Sequence, residues 1–253
     1  PSNLSVDHPG NLIAVDDQGE VVWYHQDDQL ISDARQLPGG NLLYNFGNIG
    51  AREIDVLGDV VHDWTTTTRV RAGQRDRFGH ETYVDDAVVI DTPRLHHEVA
   101  FPLPNGNFLA LSQEVRTYRG FEDPGCPPGP FADPTVRPQR GDVVIEYTPE
   151  GEVVHQLSLL DAIDPRDQPG SQQCNLKTDA VATGDQVFVD WSHGNSATLF
   201  EAENTVLVSA RNLSSVMALR WEADEHGPAG EVLWQLGPGL DFELTEGEWF
   251  YRQ

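Results

Sequence analysis

Lysine, methionine, cysteine and long apolar runs are all scarce in this chain, and each shortage excludes something. Of 16 basic residues only Lys177 is a lysine, and against them stand 41 acidic ones, for a formal charge of −25. So acidic a protein repels nucleic acid and anionic membrane surfaces, which excludes both as partners. Arginine in place of lysine fits a high-GC genome. With abundant Asp, Val and Thr and a single methionine, Met217, it also fits adaptation to high salt, where screening relaxes self-repulsion. Two cysteines, Cys126 and Cys174, are too few for a zinc site. They suit either one disulfide between two long loops of an exported protein or two buried thiols. No apolar run nears the roughly 18 residues of a membrane span, and Ala87-Val88-Val89-Ile90 is of strand length. Membrane association is therefore expected only through flanking sequence. Pro1-Ser2-Asn3 leads at once into repeat-like sequence, so a trimmed boundary rather than a leader is expected there.

Helical periodicity is also nearly missing. Leu157 to Ile163 alone suits a helical turn or two, ended by Asp164-Pro165. In its place a repeat runs through the sequence. One element is a turn followed by a strand: His8-Pro9-Gly10-Asn11-Leu12-Ile13, Leu37-Pro38-Gly39-Gly40-Asn41-Leu42-Leu43 and Leu103-Pro104-Asn105-Gly106-Asn107-Phe108-Leu109, with a worn copy at Glu203-Asn204-Thr205. Proline sets φ in such turns, and Gly or Asn accepts positive φ. The second element is a Gly-bearing hairpin: Asp16 to Trp23, Asp55 to Val61, Thr148 to Val154 and Gly230 to Trp234.

The same two elements in the same order four times predict an all-β fold, a β-propeller of four-stranded antiparallel blades. A β-sandwich also gives short strands and polar turns, but it does not require the repetition. The expectation is a single propeller domain over residues 1–253, incomplete at both ends. A long Pro/Gly-rich loop over 113–140 is predicted to be inserted in a blade and to cover one mouth of the channel.

Two segments depart from the repeat: Leu95-His96-His97-Glu98-Val99 and Val189-Asp190-Trp191-Ser192-His193-Gly194-Asn195-Ser196. Each places a histidine about ten residues ahead of a blade's turn, a region that lines the central channel in a propeller. If residues 96 and 97 lie on a strand, alternation directs their rings to opposite faces, so one of the two reaches the channel. By the same alternation Asp190 points away from His193 and takes a structural role. His8, His25, His62, His80, His155 and His226 read as structural or solvent-facing. Three histidines suffice in number for zinc, but no i, i+4 pair and no calcium-type loop is present, and no metal is predicted. Phosphate loop, dinucleotide fingerprint and nucleophile elbow are all missing from the sequence.

The run Asp190-Trp191-Ser192-His193-Gly194-Asn195-Ser196 lies between His97-Glu98 with Leu103-Pro104-Asn105-Gly106-Asn107 upstream and Ser209-Ala210-Arg211 downstream. Together these resemble the PAPS-independent aryl-sulfate sulfotransferase family from about Leu37 to the C-terminus. The resemblance implies a six-bladed propeller, with about four to five blades represented. It also implies transfer of a sulfuryl group from an aryl sulfate to a phenol through a sulfohistidine, with no cofactor. His97 (or His96), His193 and Arg211 then match the family's site residues, with Trp191 and Asn195 beside them for substrate. Glu98 stands where the family commonly has Asp. The nucleophilic histidine is expected just after Gln253. Arg211 would grip sulfate oxygens through its planar fork, and the histidines would donate to them or protonate the leaving oxygen. Small phenolic donors and acceptors are the implied partners, and a location outside the cytoplasm is expected. The alternative is a propeller that binds ligands through the same histidines without turnover.

Overall fold

Tight turns set the strand rhythm. In the computed structural model, Leu37 N–H donates to Asn41 O and Gly40 N–H to Leu37 O, at 2.8 and 2.9 Å, and Leu103, Gly106 and Asn107 repeat the pattern at 2.8 and 3.0 Å. The second element also turns as expected, with Gly19, Gly58, Gly151 and Gly230 at φ of 80–88°. Gly151 is the most constrained: a Cβ there would lie 2.3 Å from Val89 O, so no larger residue fits. At the worn copy Asn204 supplies the left-handed residue, φ 49°.

The structure describes residues 10–27, 30–46, 50–68, 86–98, 100–121, 133, 135–168, 176–178, 187–249 and 251. Cys126, Cys174, His8 and His80 lie outside them. The chain divides into two compact units: unit 1 is Pro1–Phe108 with Tyr147–Val153, and unit 2 is Leu109–Glu146 with Val154–Gln253.

Unit 1 holds an antiparallel pair, β1 (Gly10–Val15) and β2 (Val21–Asp27). Beside it runs a meander of β3 (Ile31–Gln36), β4 (Leu42–Phe46), β5 (Gly50–Ile54) and β6 (Val60–Thr66), each antiparallel to the next. A fifth strand, β7 (Val88–Ile90), joins β6 in parallel, and β8 (Phe101–Pro102) follows in sequence. Tyr44, Phe46 and Ile54 form a core on which Leu12, Trp23, Ile31 and Leu42 pack. The opposite face of the β1–β2 pair is also apolar yet exposed, through Ile13, Val15, Val22 and Tyr24. Trp64 anchors a second cluster, its ring 5.2 Å from that of Phe108 and its indole N–H donated to Pro149 O at 2.8 Å.

Unit 2 has two sheets. In the first, β9 (Phe108–Arg119) and β10 (Val136–Tyr147) are neighbours, β13 (Val187–Asp190) lies on β10, and β12 (Leu176–Thr178) on β13. β11 (Val153–Ser158) pairs with β10 as well. The β10–β13 pairing is parallel, Gln139 opposite Val189 and Arg140 opposite Asp190. The second sheet is an antiparallel meander of β14 (Gly194–Phe200), β15 (Thr205–Ala210), β16 (Ser215–Arg220) and β17 (Val232–Leu236). The one α-helix among the described residues, α1 (Leu159–Ala162), falls inside the predicted window, and Ser158 caps it by accepting from Leu160 N–H at 3.1 Å.

Among the described residues the fold is thus almost wholly β, in several sheets of which none closes on itself. Four-stranded antiparallel meanders occur as β3–β6 and β14–β17, but the other sheets have two strands or include parallel pairs, which connections between distant segments permit and local turns do not reveal. At the two ends of the predicted 113–140 loop, β9 runs on to Arg119 and β10 starts at Val136, where Val115, Thr117, Tyr118 and Val136 favour strand, and residues 122–132 and 134 lie outside the described residues.

Candidate functional site

The site in unit 2 grows from the end of β13. There the parallel pairing sets Arg140 against Asp190, and the guanidinium reaches the carboxylate through Nη2 at 2.7 Å and Nε at 3.1 Å. Its flat face lies over the Phe188 ring, 4.5 Å from the centroid. Asp190 is buried, with 4% of its side chain exposed. Burial pushes its pKa up, but the His193 hydrogen bond and the Arg140 charge outweigh it and hold the carboxyl well below the usual range.

Three residues on, His193 Nδ1 lies 2.7 Å from the other oxygen, Oδ2. This corrects the expectation that Asp190 points away from His193. Strand alternation ends at Asp190, and His193 adopts a left-handed φ of 52° that turns its side chain back. An ionised carboxylate only accepts, so Nδ1 carries the proton and Nε2 is the second polar atom of the ring. The His193 side chain is 24% exposed, enough to meet a ligand.

The loop holding His193 is tied down on every side. Trp191 N–H donates to Arg140 O at 3.0 Å, and its indole N–H to Gln168 O at 2.9 Å. Trp191 is fully buried, so it supports the loop from beneath rather than facing substrate. Asn212 donates its side-chain amide to Asp190 O at 2.6 Å and its backbone N–H to Ser192 O at 3.0 Å. Ser192 donates its hydroxyl to Asp142 Oδ2 at 2.6 Å.

Arg211 opens a 3₁₀ turn, Arg211–Leu213, directly after β15, and its N–H donates to His193 O at 3.0 Å. The two predicted residues therefore share one end of the β14–β15 pair. The Arg211 guanidinium is half-buried and, among the described residues, its hydrogen bond is to Asn212 Oδ1 at a long 3.5 Å, a geometry that suits an anion's approach. Asn195 is the extra residue where the β14–β15 register shifts between Gly194 and Ser196, a bulge of the kind that re-aims a side chain.

His96 and His97 lie in unit 1, on irregular backbone rather than a strand. Alternation does not apply there, and the rings sit side by side with centroids 4.0 Å apart at 50°, against the expectation of opposite faces. His96 is buried and His97 half-buried. Asn45, itself buried, donates its amide to the carbonyls of His96 (3.0 Å) and Glu98 and so fixes the segment. Burial, and then the nearby Asp33 carboxylate, raise the Glu98 pKa to about 7 against the lowering effect of Arg35. Unit 1 also carries a groove of about 630 Å³ lined by Arg35, Leu37, Pro38, Phe101 and Pro102 among others, with no predicted site residue in its wall.

Sequence reasoning missed Arg140, Asp142 and Asn212 and misjudged Asp190. Their signal is weak, since Arg140-Gly141-Asp142 reads as ordinary strand sequence and its partners lie 50 residues away.

Against this geometry the comparisons are specific in one respect. The family model described as "Arylsulfotransferase (ASST)" matches residues 2–251, and the chain belongs to that family. The family as a whole stands for aryl sulfotransfer. None of the curated proteins matches the chain. Among solved structures, a protein of unknown function from Bacteroides caccae is 12% identical with a TM-score of 0.35, covering 92% of this chain and 74% of that one. BamB from Moraxella catarrhalis is 13% identical with a TM-score of 0.28, covering 90% and 71%. Likenesses so slight add nothing to the argument.

Proposed function

We propose that this protein is a β-propeller aryl-sulfate sulfotransferase, moving a sulfuryl group from an aryl sulfate to a phenol through a sulfohistidine. The observation that carries the reading is the Arg140–Asp190–His193 chain with Arg211 at the same strand ends, in a member of the arylsulfotransferase family. The recurring turn and hairpin elements, together with the two four-stranded meanders, support the propeller.

In the first half-reaction a histidine nitrogen gives its lone pair to sulfur. The S–O(aryl) bond breaks, its electrons leave on the phenolate oxygen, and that oxygen takes a proton. In the second, the acceptor phenol oxygen attacks sulfur, the N–S bond breaks and the phenol proton is released. Arg211 forks onto the sulfate oxygens, which keep their charge throughout. His193, held on Asp190 through Nδ1–H, takes the acceptor phenol's proton at Nε2 and, as the imidazolium, gives that proton to the departing aryl oxygen of the next donor. The family resemblance matches His97, with His96 packed against its ring, to a site histidine. Asn195 adds a polar contact to bound substrate. Carboxylates crowding the surface favour donors that enter as monoanions and leave as neutral phenols.

The test is release of 4-nitrophenol from 4-nitrophenyl sulfate by the full-length protein, with and without phenol, over a range of salt. Phenol-dependent release that His193→Ala cuts by about 10²-fold or more is the expected result. A folded protein that binds the sulfate ester without turnover is a binding module instead.

A further inference from the structure

Asp142 is a buried carboxylate that the chemistry above does not use. It lies on β10, 1% exposed, and every donor that reaches it from a described residue is neutral. Oδ2 accepts both the Ser192 hydroxyl, at 2.6 Å, and the Gly194 N–H, at 2.5 Å. Oδ1 accepts from Gln113 Nε2 at 3.2 Å, and the Asp142 N–H returns a bond to Ser192 Oγ at 2.9 Å. Glycine at 194 eases this approach, since a Cβ would stand 3.0 Å from Leu111 Cδ1 and 3.1 Å from Asp142 Cγ and the neighbours would have to give by a few tenths of an ångström.

One carboxylate oxygen thus binds the residues on both sides of His193. Pinned at 192 and 194, the chain crosses residue 193 in the left-handed conformation that returns the ring to Asp190. Burying a carboxylate among neutral donors is unfavourable for folding. It is understandable where two acceptor atoms are needed at one point, each with several lone pairs.

We propose that Asp142 is the positioning residue of the site: through Ser192 and Gly194 it sets the His193 backbone so that Nδ1 meets Asp190. The inference rests on the sulfotransferase reading for its kinetic consequence but not for its structural one. Asparagine can reproduce the arrangement. Its oxygen takes the Oδ2 position, its amide faces residue 113, and Gln113 flips to accept through Oε1, a buried atom with no hydrogen-bond partner among the described residues. Alanine cannot.

The experiment is ¹H–¹⁵N spectroscopy of the imidazoles in the full protein, with the His193 signals assigned by loss in His193→Gln, and transfer kinetics alongside. The Nδ1–H form is expected in the parent protein and in Asp142→Asn. In Asp142→Ala it should give way to the Nε2–H form of an unheld ring. In parallel kcat should fall by about 10²-fold, the size of an ångström-scale misplacement, with KM little changed. A folded Asp142→Ala that keeps the Nδ1–H signal overturns the proposal, as does an asparagine variant as impaired as alanine. Where Asp142→Ala does not fold, Ser192→Ala deletes one of the two donors and keeps the carboxylate. Its tautomer signal must shift the same way, and an unchanged signal overturns the proposal. Tautomer changes as expected in a protein without transferase activity would sink the sulfotransferase reading and leave the positioning role standing.

Discussion

Asp27 in unit 1 and Asp190 in unit 2 each bind an arginine from another strand and pass the interaction to an aromatic side chain. Asp27 accepts from Arg52 Nη1 at 2.6 Å and from the Tyr44 hydroxyl at 2.5 Å, and Arg52 also forks onto Asp63 at 2.5 and 3.0 Å. Burial, then the bond to Asp27, push the Tyr44 hydroxyl far above its ordinary pKa, so it stays protonated and committed. Tyr44 is fully buried. Asp190 and Arg140 make an equivalent pair, but the third member is a histidine with a quarter of its side chain in solvent and a second ring nitrogen. The same ion pair is a closed brace in one unit and an open arm in the other. What separates them is whether the last group has a second polar atom and a route to solvent.

That contrast breaks most visibly under substitution of the two aspartates. Asp190→Asn should cut kcat for sulfuryl transfer by roughly 10²–10⁴-fold, because the amide can hold the wrong histidine tautomer. Asp27→Asn should lower the melting temperature and leave kcat unchanged. Equal kinetic losses from both would erase the distinction. Next in size is Arg52→Leu, which leaves two carboxylates in unit 1 without their cation and should cost about 3–5 kcal/mol in urea unfolding. Its loss should exceed that of Tyr44→Phe, which removes one hydrogen bond at about 1–3 kcal/mol.

The smallest effect concerns Glu98. Its pKa is raised from an ordinary 4.5 to about 7, so its contribution to stability is full below 4.5 and lost as pH climbs through 7. The melting temperature should drift down by a few degrees between pH 5 and 8, less than full burial would give because the group is partly solvated. Glu98→Gln should flatten that slope. A slope unchanged in the variant would assign the drift elsewhere. Asp190 runs the other way, its contribution present at neutral pH and lost only in strong acid.

What the sequence disclosed was local. Pro-x-Gly-Asn turns, the Gly-bearing hairpins and the short helix after Ser158 depend on neighbouring residues, and each stands where its residues require. The parallel pairing of Val189 with Gln139 depends on segments 50 residues apart and left no local trace. His193, Asn195 and Arg211 were legible through family pattern, and their strand ends do coincide. The partners that orient them were not. A strand's alternation misleads where a left-handed residue interrupts it, as at His193, or where the backbone is irregular, as at His96 and His97.

The exposed face of the β1–β2 pair, Ile13, Val15, Val22 and Tyr24, has a consequence for handling this protein. At low ionic strength the charge of −25 keeps molecules apart and covers for an adhesive patch. Molar salt screens that repulsion and strengthens apolar association at the same time. The brine that quiets the crowded carboxylates therefore also promotes sticking at this one face, and colloidal behaviour should pass through an optimum rather than improve without end.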